Sequence, residues 1–285
     1  MKKLSLVLAS SLLLAAAAKP VSLVQNEYDF AATVAKQGVR DGFLQYLDKQ
    51  AVTFAPTPVN AYDRYTNAKR GDAKLLWYPA YALLASSGDF GVDTGPWTYQ
   101  GAGKERKAVE AHGEWLTVWH RAADGRWKAL FDSGIGHQEA GMGMALKQAS
   151  PVQQMKAVGG EKATEEAVHL QLVQAESVFS NDASFHGLRR AYQASGAAEL
   201  RLLLDKSQPV LGLDLVVKVA PEVSSGLTWD PMGGSAASSG DLGYIYGETY
   251  KLADTKHTTP VGVYMHVWRR EADGWKLLIA LEQPL

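Results

Sequence analysis

Three groups of residues in this 285-residue chain have the types and spacing for chemistry. The first is one carboxylate, Asp132, at the end of the strand-like run that starts at Trp127. Strict alternation puts it on the face opposite Trp127, Ala129 and Phe131. On a solvent face it is an ordinary surface acid. Turned into a pocket, it has a raised pKa and serves as a general base or holds a ligand hydroxyl. The second group is denser. Tyr244, Tyr246, Glu248 and Tyr250 share one face of a strand, and Tyr264, His266 and Trp268 one face of the next, so antiparallel pairing can set them side by side. His266 and Glu248 are then candidates for acid–base work. Tyr244, Tyr246, Tyr264 and Trp268, with Trp119 from an earlier strand, are candidates for holding an aromatic ligand. The same tyrosine-rich face suits an interface between two parts of the chain, which is the favoured reading. The third group is a charge pair that occurs twice, Glu27 with Arg40 and Glu176 with Arg189. Each reads first as an ion pair tying two helices together; the alternative turns Arg40 into a pocket to meet an anionic group.

Other chemistry finds no support. The seven histidines show no metal-ligand spacing, and neither a Gly-x-Ser-x-Gly nucleophile elbow nor a phosphate loop is present. No metal and no cofactor is expected.

The elements that must position these residues follow from periodicity. Ser22 to Gln25 has a capping-box pattern, and apolar residues at helical spacing continue to Gly38, giving a helix over about 23–37. A second short helix runs from Val39 to Leu47, and a strand over Ala51–Ala55 stops at Pro56. Residues 57–76 are polar and irregular, with room for one helical turn. Three turn signals, Ser87-Gly88-Asp89, the Gly101–Gly103 region and Asp124-Gly125, then separate strands near 80–86, 90–99, 112–121 and 126–132. Helices packed on one face of a curved antiparallel sheet make an α+β layer arrangement. Because both faces of the 112–121 strand are largely apolar, the free face needs a cover, which a second copy of the domain can supply.

The sequence contains that second copy. Ala85-Ser-Ser-Gly-Asp-Phe-Gly91 recurs as Ala237-Ser-Ser-Gly-Asp-Leu-Gly243, 152 residues on. Glu27, Phe30, Gly38, Arg40 and Phe43 correspond to Glu176, Phe179, Gly187, Arg189 and Tyr192 at an offset of 149. Gly113, Trp119 and Trp127 match Gly262, Trp268 and Trp275, whereas Asp132 matches Ala280. The Ser-Ser-Gly-Asp turns read as register-setting hairpins. The second copy begins with helices over about 164–179 and 184–195. Between the copies, residues 138–162 lose periodicity and read as a linker.

Residues 1–18, with Lys2 and Lys3 before a short apolar run and Ala15–Ala18 before Lys19, read as a signal peptide too short to span a bilayer. A periplasmic or secreted protein is expected, with domains at 19–137 and 163–285 and no membrane span once the leader is removed. The absence of cysteine leaves buried apolar area to hold the fold. Loss of Lys2 and Lys3 takes the net charge from −1 to −3, with both signs interspersed, which excludes a nucleic-acid surface.

Glu-x-x-Phe on the first helix, Gly-x-Arg-x-x-Phe entering the second, Trp-x-Pro, Ser-Gly-Asp-x-Gly and Asp-Gly-x-Trp-Lys together resemble the nuclear-transport-factor-2-like superfamily, and within it exported domains of unknown function. The resemblance covers both copies, roughly 22–137 and 163–285. It implies two cone-shaped domains, each a bent sheet wrapped on helices with a pocket at its open end. The superfamily holds ketosteroid isomerase, scytalone dehydratase and polyketide cyclases beside members that only bind, so fold alone does not settle function. The isomerase pattern implies a general-base Asp immediately before a proline, and here that position is Ala55-Pro56; Asp205 lies near the equivalent place in the second copy without inheriting the role. Three functions stay open: binding of a small hydrophobic or aromatic molecule, a cofactor-free isomerase, dehydratase or cyclase, and a protein-interaction or structural module. The two copies are expected to pack as an intramolecular pseudo-dimer.

Overall fold

The computed structural model describes residues 21–102, 108–138, 153–155 and 164–285. The signal-peptide reading of 1–18 lies outside them, as does most of the linker.

The first half opens with α1 (Leu23–Gln37), whose N-cap Ser22 Oγ accepts from the Gln25 amide at 3.2 Å. Gly38, at φ 86°, ends α1 and begins α2 (Val39–Tyr46). A side chain would strain that backbone conformation. Then come β1 (Leu47–Phe54), β2 (Pro58–Asn60), α3 (Ala61–Asn67), β3 (Lys74–Trp77) and β4 (Tyr81–Leu84). Residues 57–76 are thus more ordered than their polarity suggests, because Asn60 caps α3 through the Asp63 amide at 2.8 Å. The strands β5 (Phe90–Ala102), β6 (Ala108–Arg121) and β7 (Trp127–His137) complete an antiparallel meander with β4, and β1 joins it parallel to β7. Part of the expected linker is not free chain: β8 (Gln153–Gln154) pairs with the edge of β4.

The second half repeats the order with α4 (Glu165–His186), α5 (Leu188–Ser195), β9 (Gly196–Leu204), β10 (Val210–Leu211), α6 (Leu213–Val219), β11 (Leu227–Ala236), β12 (Leu242–Lys251), β13 (Pro260–Glu271) and β14 (Gly274–Pro284). The result is α+β: two separate sheets, each carrying its own helices. No helix of the described residues is long and apolar enough to cross a membrane.

Alternation along β6 shows the layering. Trp115 and Trp119 pack with Phe30 of α1 and Phe43 of α2, whereas Leu116 and Val118 face away from the helices. On that far side they meet Tyr244, Met265 and Val267 of the other sheet in one continuous core. The two sheets therefore pack back to back with helices outermost, and the face expected to need a cover is covered by the second half of the chain. The Ser-Ser-Gly-Asp turns sit on this seam and touch: the Ser86 amide donates to Asp241 Oδ2 at 3.1 Å, and the Ser87 and Ser239 hydroxyls lie 3.0 Å apart.

One irregularity decides the chemistry. Along the β6–β7 ladder Val118 pairs with Phe131, but Trp119 pairs with Ala129, leaving Leu130 as the extra residue of a β-bulge. Leu130 and Phe131 both turn toward the second sheet. Asp132 is thereby placed on the same face as Trp127 and Ala129, the helix side, and not on the face opposite all three as strict alternation requires. The second half has the same bulge, with Leu278 extra.

Candidate functional site

The helix-covered face of sheet one opens on a cavity of about 490 Å³. Its walls are aromatic: Phe43, Phe54, Tyr65, Trp77, Trp97 and Trp115 all line it. The ladder pairs Trp77 with Trp97 across β3–β5, and Trp97 Nε1 donates to the Ile135 carbonyl at 3.2 Å. Gly113 makes this possible, because a Cβ there would lie 1.8 Å from the Ile135 oxygen and 2.6 Å from the Trp97 ring. Asp132 also lines the cavity, with Thr117 donating to its Oδ2 at 2.7 Å. Burial pushes the Asp132 carboxyl up to about 7, against the opposing pull of the Thr117 hydrogen bond.

Beneath Asp132 lie two more acids, both fully buried. Glu27 of α1 accepts from Trp77 Nε1 at 2.5 Å and from Trp119 Nε1 at 3.1 Å. Trp119 Nε1 is shared with Asp93 Oδ1 at 2.9 Å. Burial, opposed chiefly by the Trp77 hydrogen bond and reinforced by the Asp132 charge, pushes Glu27 up to about 8. Asp93 is driven well above the carboxylate range by burial first and by Glu27 second. The two acids meet at the Trp119 indole N–H, and burial favours the protonated form of both.

The second half solves the same burial differently. Asp93, Thr117 and Asp132 are direct neighbours across β5, β6 and β7; the corresponding row across β12, β13 and β14 is Ile245, His266 and Ala280. Glu176, the counterpart of Glu27, is held by His266 Nδ1 at 2.8 Å and by Trp268 Nε1 at 3.0 Å. Burial alone would lower the His266 pKa, but Glu176 and Glu282 outweigh it and lift it to about 9. Glu282 is 3.6 Å from His266 Nε2, an ion-pair distance and not a hydrogen bond. Tyr192 donates to Glu282 at 3.2 Å. Phe179, Tyr192, Tyr264 and Trp268 are at most 1% exposed, and the second half keeps a smaller cavity of about 280 Å³, bordered by Leu204, Thr249, Gly262 and Glu282 and lined by no aromatic residue.

Of the residues singled out from the sequence, Asp132 lines the cavity of cone one, and Trp119 lies below it as a hydrogen-bond donor. Tyr264, His266 and Trp268 are together inside cone two. Tyr244 and Tyr246 are not with them. The register pairs Ile245, not Tyr244, with His266, so Tyr244 and Tyr246 face the other sheet, where both pack near Phe131. Glu248 lies on that same far face and accepts from Tyr250, which separates it from His266 by the thickness of the sheet. The expected ion pairs also fail. Arg40 bonds Asp41 at 2.6 Å and the Thr66 carbonyl at 3.0 Å, away from Glu27, while Arg189 pairs with Glu222. Asp205 accepts from the Gly136 amide at 3.1 Å and belongs to the seam between the halves.

Glu27 and Asp93 as a pair of buried acids at one indole N–H escaped the sequence reading, although a signal existed. Leu23, Glu27, Phe30 and Val34 form one helical stripe, so an acid occupied a core position. Among the described residues no group of three metal-ligating side chains is arranged to hold an ion.

No family model matches the chain, and no curated protein matches it. Similar solved structures include a nuclear transport factor 2-like superfamily protein from Salmonella enterica serovar Typhimurium, 12% identical over 43% of this chain and 93% of that one, with a TM-score of 0.33. A protein provisionally named a ketosteroid isomerase, from Shewanella frigidimarina, is 19% identical over 40% and 94%, with a TM-score of 0.31. The kinase hub domain of S. rosetta CaMKII is 17% identical over 41% and 99%, with a TM-score of 0.33. Agreement at this level transfers no function.

Proposed function

We propose that this chain is an exported binding protein built from two nuclear-transport-factor-2-like domains, 19–137 and 163–285, and that it holds a small organic molecule in cone one. The observation that carries the reading is the contrast between the cones. Cone one keeps an aromatic cavity of about 490 Å³ with Asp132 on its wall, whereas the cavity of the second half is about 280 Å³, has no aromatic lining, and Ala280 stands in the place of Asp132. A pocket of a few hundred Å³, mostly apolar with a few convergent polar groups, is the usual form of a small-molecule site. Cone two then serves as the structural partner that covers the back of sheet one. Export rests on the leader-like residues 1–18.

A second reading, a cofactor-free isomerase, dehydratase or cyclase, is favoured by one observation: a carboxyl held near 7 in an apolar cavity is poised to move protons at neutral pH. Asp132 would be the base.

Mass spectrometry of protein purified gently from its native host, with thermal-shift screening of a metabolite library, tests the binding reading. A ligand at a hundred times its Kd adds about 2.7 kcal/mol of stability. No co-purified molecule and no thermal shift would overturn it. Turnover of a bound compound that Asp132→Asn abolishes would select the enzymatic reading.

A further inference from the structure

Resting on the reading of cone one as a small-molecule site, we propose that its ligand is an organic ammonium ion, whose charged end meets Asp132 while its body lies among Trp77, Trp97 and Trp115. Three independent features point there. Acids dominate the interior: Asp132 on the wall of the cavity and Glu27 and Asp93 behind it, close enough that each of the two feels the Asp132 charge. The groups facing Asp132 are Glu27 on α1, Arg64 and Tyr65 on α3, Asp93 and Tyr99 on β5 and Thr117 on β6, and the one cation among them, Arg64, is an exposed residue at the cavity's edge. The walls are aromatic faces, which attract cations through their quadrupoles and accommodate ammonium groups.

The third feature is cone two, which shows the same fold with its charge compensated. There a nitrogen cation, His266, stands in the position of Thr117 and bonds the glutamate equivalent to Glu27. Cone one has a hydroxyl at that position and compensates its acids with protons instead. An entering ammonium ion would take over that role, displacing a proton from the acid cluster. Trp115 Nε1, buried on the cavity wall with no acceptor among the described residues, leaves a donor for a hydroxyl, ether or carbonyl on the ligand body.

The test uses the full chain and three matched probes: benzyltrimethylammonium, its neutral carbon isostere neopentylbenzene, and phenylacetate. Calorimetric titration at neutral pH is expected to show benzyltrimethylammonium binding at least about tenfold tighter than the other two, an allowance for one charge-assisted contact with cation–π support. Its charge does not titrate, so its affinity should rise by up to about tenfold from pH 6 to pH 8 as Asp132 ionises. Proton release should appear as a buffer-dependent heat. Asp132→Asn, folded by circular dichroism, should lose the preference, and Asp132→Glu should restore most of it. If neopentylbenzene or phenylacetate binds as tightly as the cation, the ammonium inference fails and the organic-ligand reading stands. If none of the probes, and no member of a wider library, shifts the protein, both fail.

Discussion

Replacing Asp93 with Asn tests the account of the buried acids where it makes the sharpest claim. The carbonyl of the introduced side-chain amide can still accept from Trp119, while the amide, unlike the carboxyl, does not titrate. The sign follows from linkage. A carboxyl whose folded pKa lies above its unfolded value binds more protons when folded, so stability is fully present below the unfolded pKa and falls as pH rises toward the folded one. For Glu27 that window runs from 4.5 to about 8. A shift of that size is worth about 5 kcal/mol if the site stays dry, and less if water enters the cone. Asp93→Asn removes an acid whose own pKa is driven up by burial and by Glu27, which flattens the slope. Urea midpoints read by tryptophan fluorescence at pH 6, 7, 8 and 9 should show the wild-type protein losing stability across the series, and the variant losing less than half as much. His266 contributes a falling slope over part of the same range, but equally in both proteins. Parallel curves for the two proteins would refute the upward shift of buried Asp93. So would a wild-type protein more stable at pH 9 than at pH 6.

Other outcomes follow from the same geometry. His266→Gln leaves Glu176 buried without its cation and should cost about 3–5 kcal/mol at pH 7; adding Glu176→Gln should recover part of the loss, and additive losses in the denaturation cycle would contradict the pairing. Because the His266 pKa is raised from 6.5 to about 9, the cost of His266→Gln relative to wild type should be largest below pH 6.5 as far as the histidine alone is concerned, and should shrink as pH passes 9. At the seam, Asp241 is buried and accepts from the Ser86 amide, so Asp241→Ala should cost about 1–3 kcal/mol. Asp89→Ala, in the more exposed turn, should cost less in the same denaturation assay; equal losses would contradict the asymmetry.

The duplication, the element order and the hairpin turns were legible in the sequence because they rest on local signals: Ser-Gly-Asp turns, Asp-Gly hairpins and glycines that end helices. Packing of the halves was legible too, since a strand apolar on both faces needs a cover. What strict alternation hides is the bulge. Leu130 adds one residue to β7 and transfers Asp132 to the cone side, and nothing in Trp-Lys-Ala-Leu-Phe-Asp marks it. The same parity problem separated Tyr244 from His266, because pairing register is a property of two strands and not of one. Arg40 misled for a different reason: a flexible cation with an acid as its own neighbour, Asp41, has no need of a buried glutamate on another helix. Glu27 and Glu176 could have been recognised as core acids from their places on apolar helical stripes, but their different partners emerge only when Asp93, Thr117 and Asp132 are set beside Ile245, His266 and Ala280.

The central claim is that the aromatic, acid-bearing cavity of cone one takes a ligand and the smaller, non-aromatic cavity of the second half does not. Crystals of the chain soaked in turn with benzyltrimethylammonium and phenylacetate test it directly. The account predicts density for a bound probe in cone one, against Asp132 and between the indoles of Trp97 and Trp115, with the interior of cone two unchanged around Tyr264 and His266. A probe seated inside cone two, or bound only elsewhere on the protein while cone one stays empty, would contradict it.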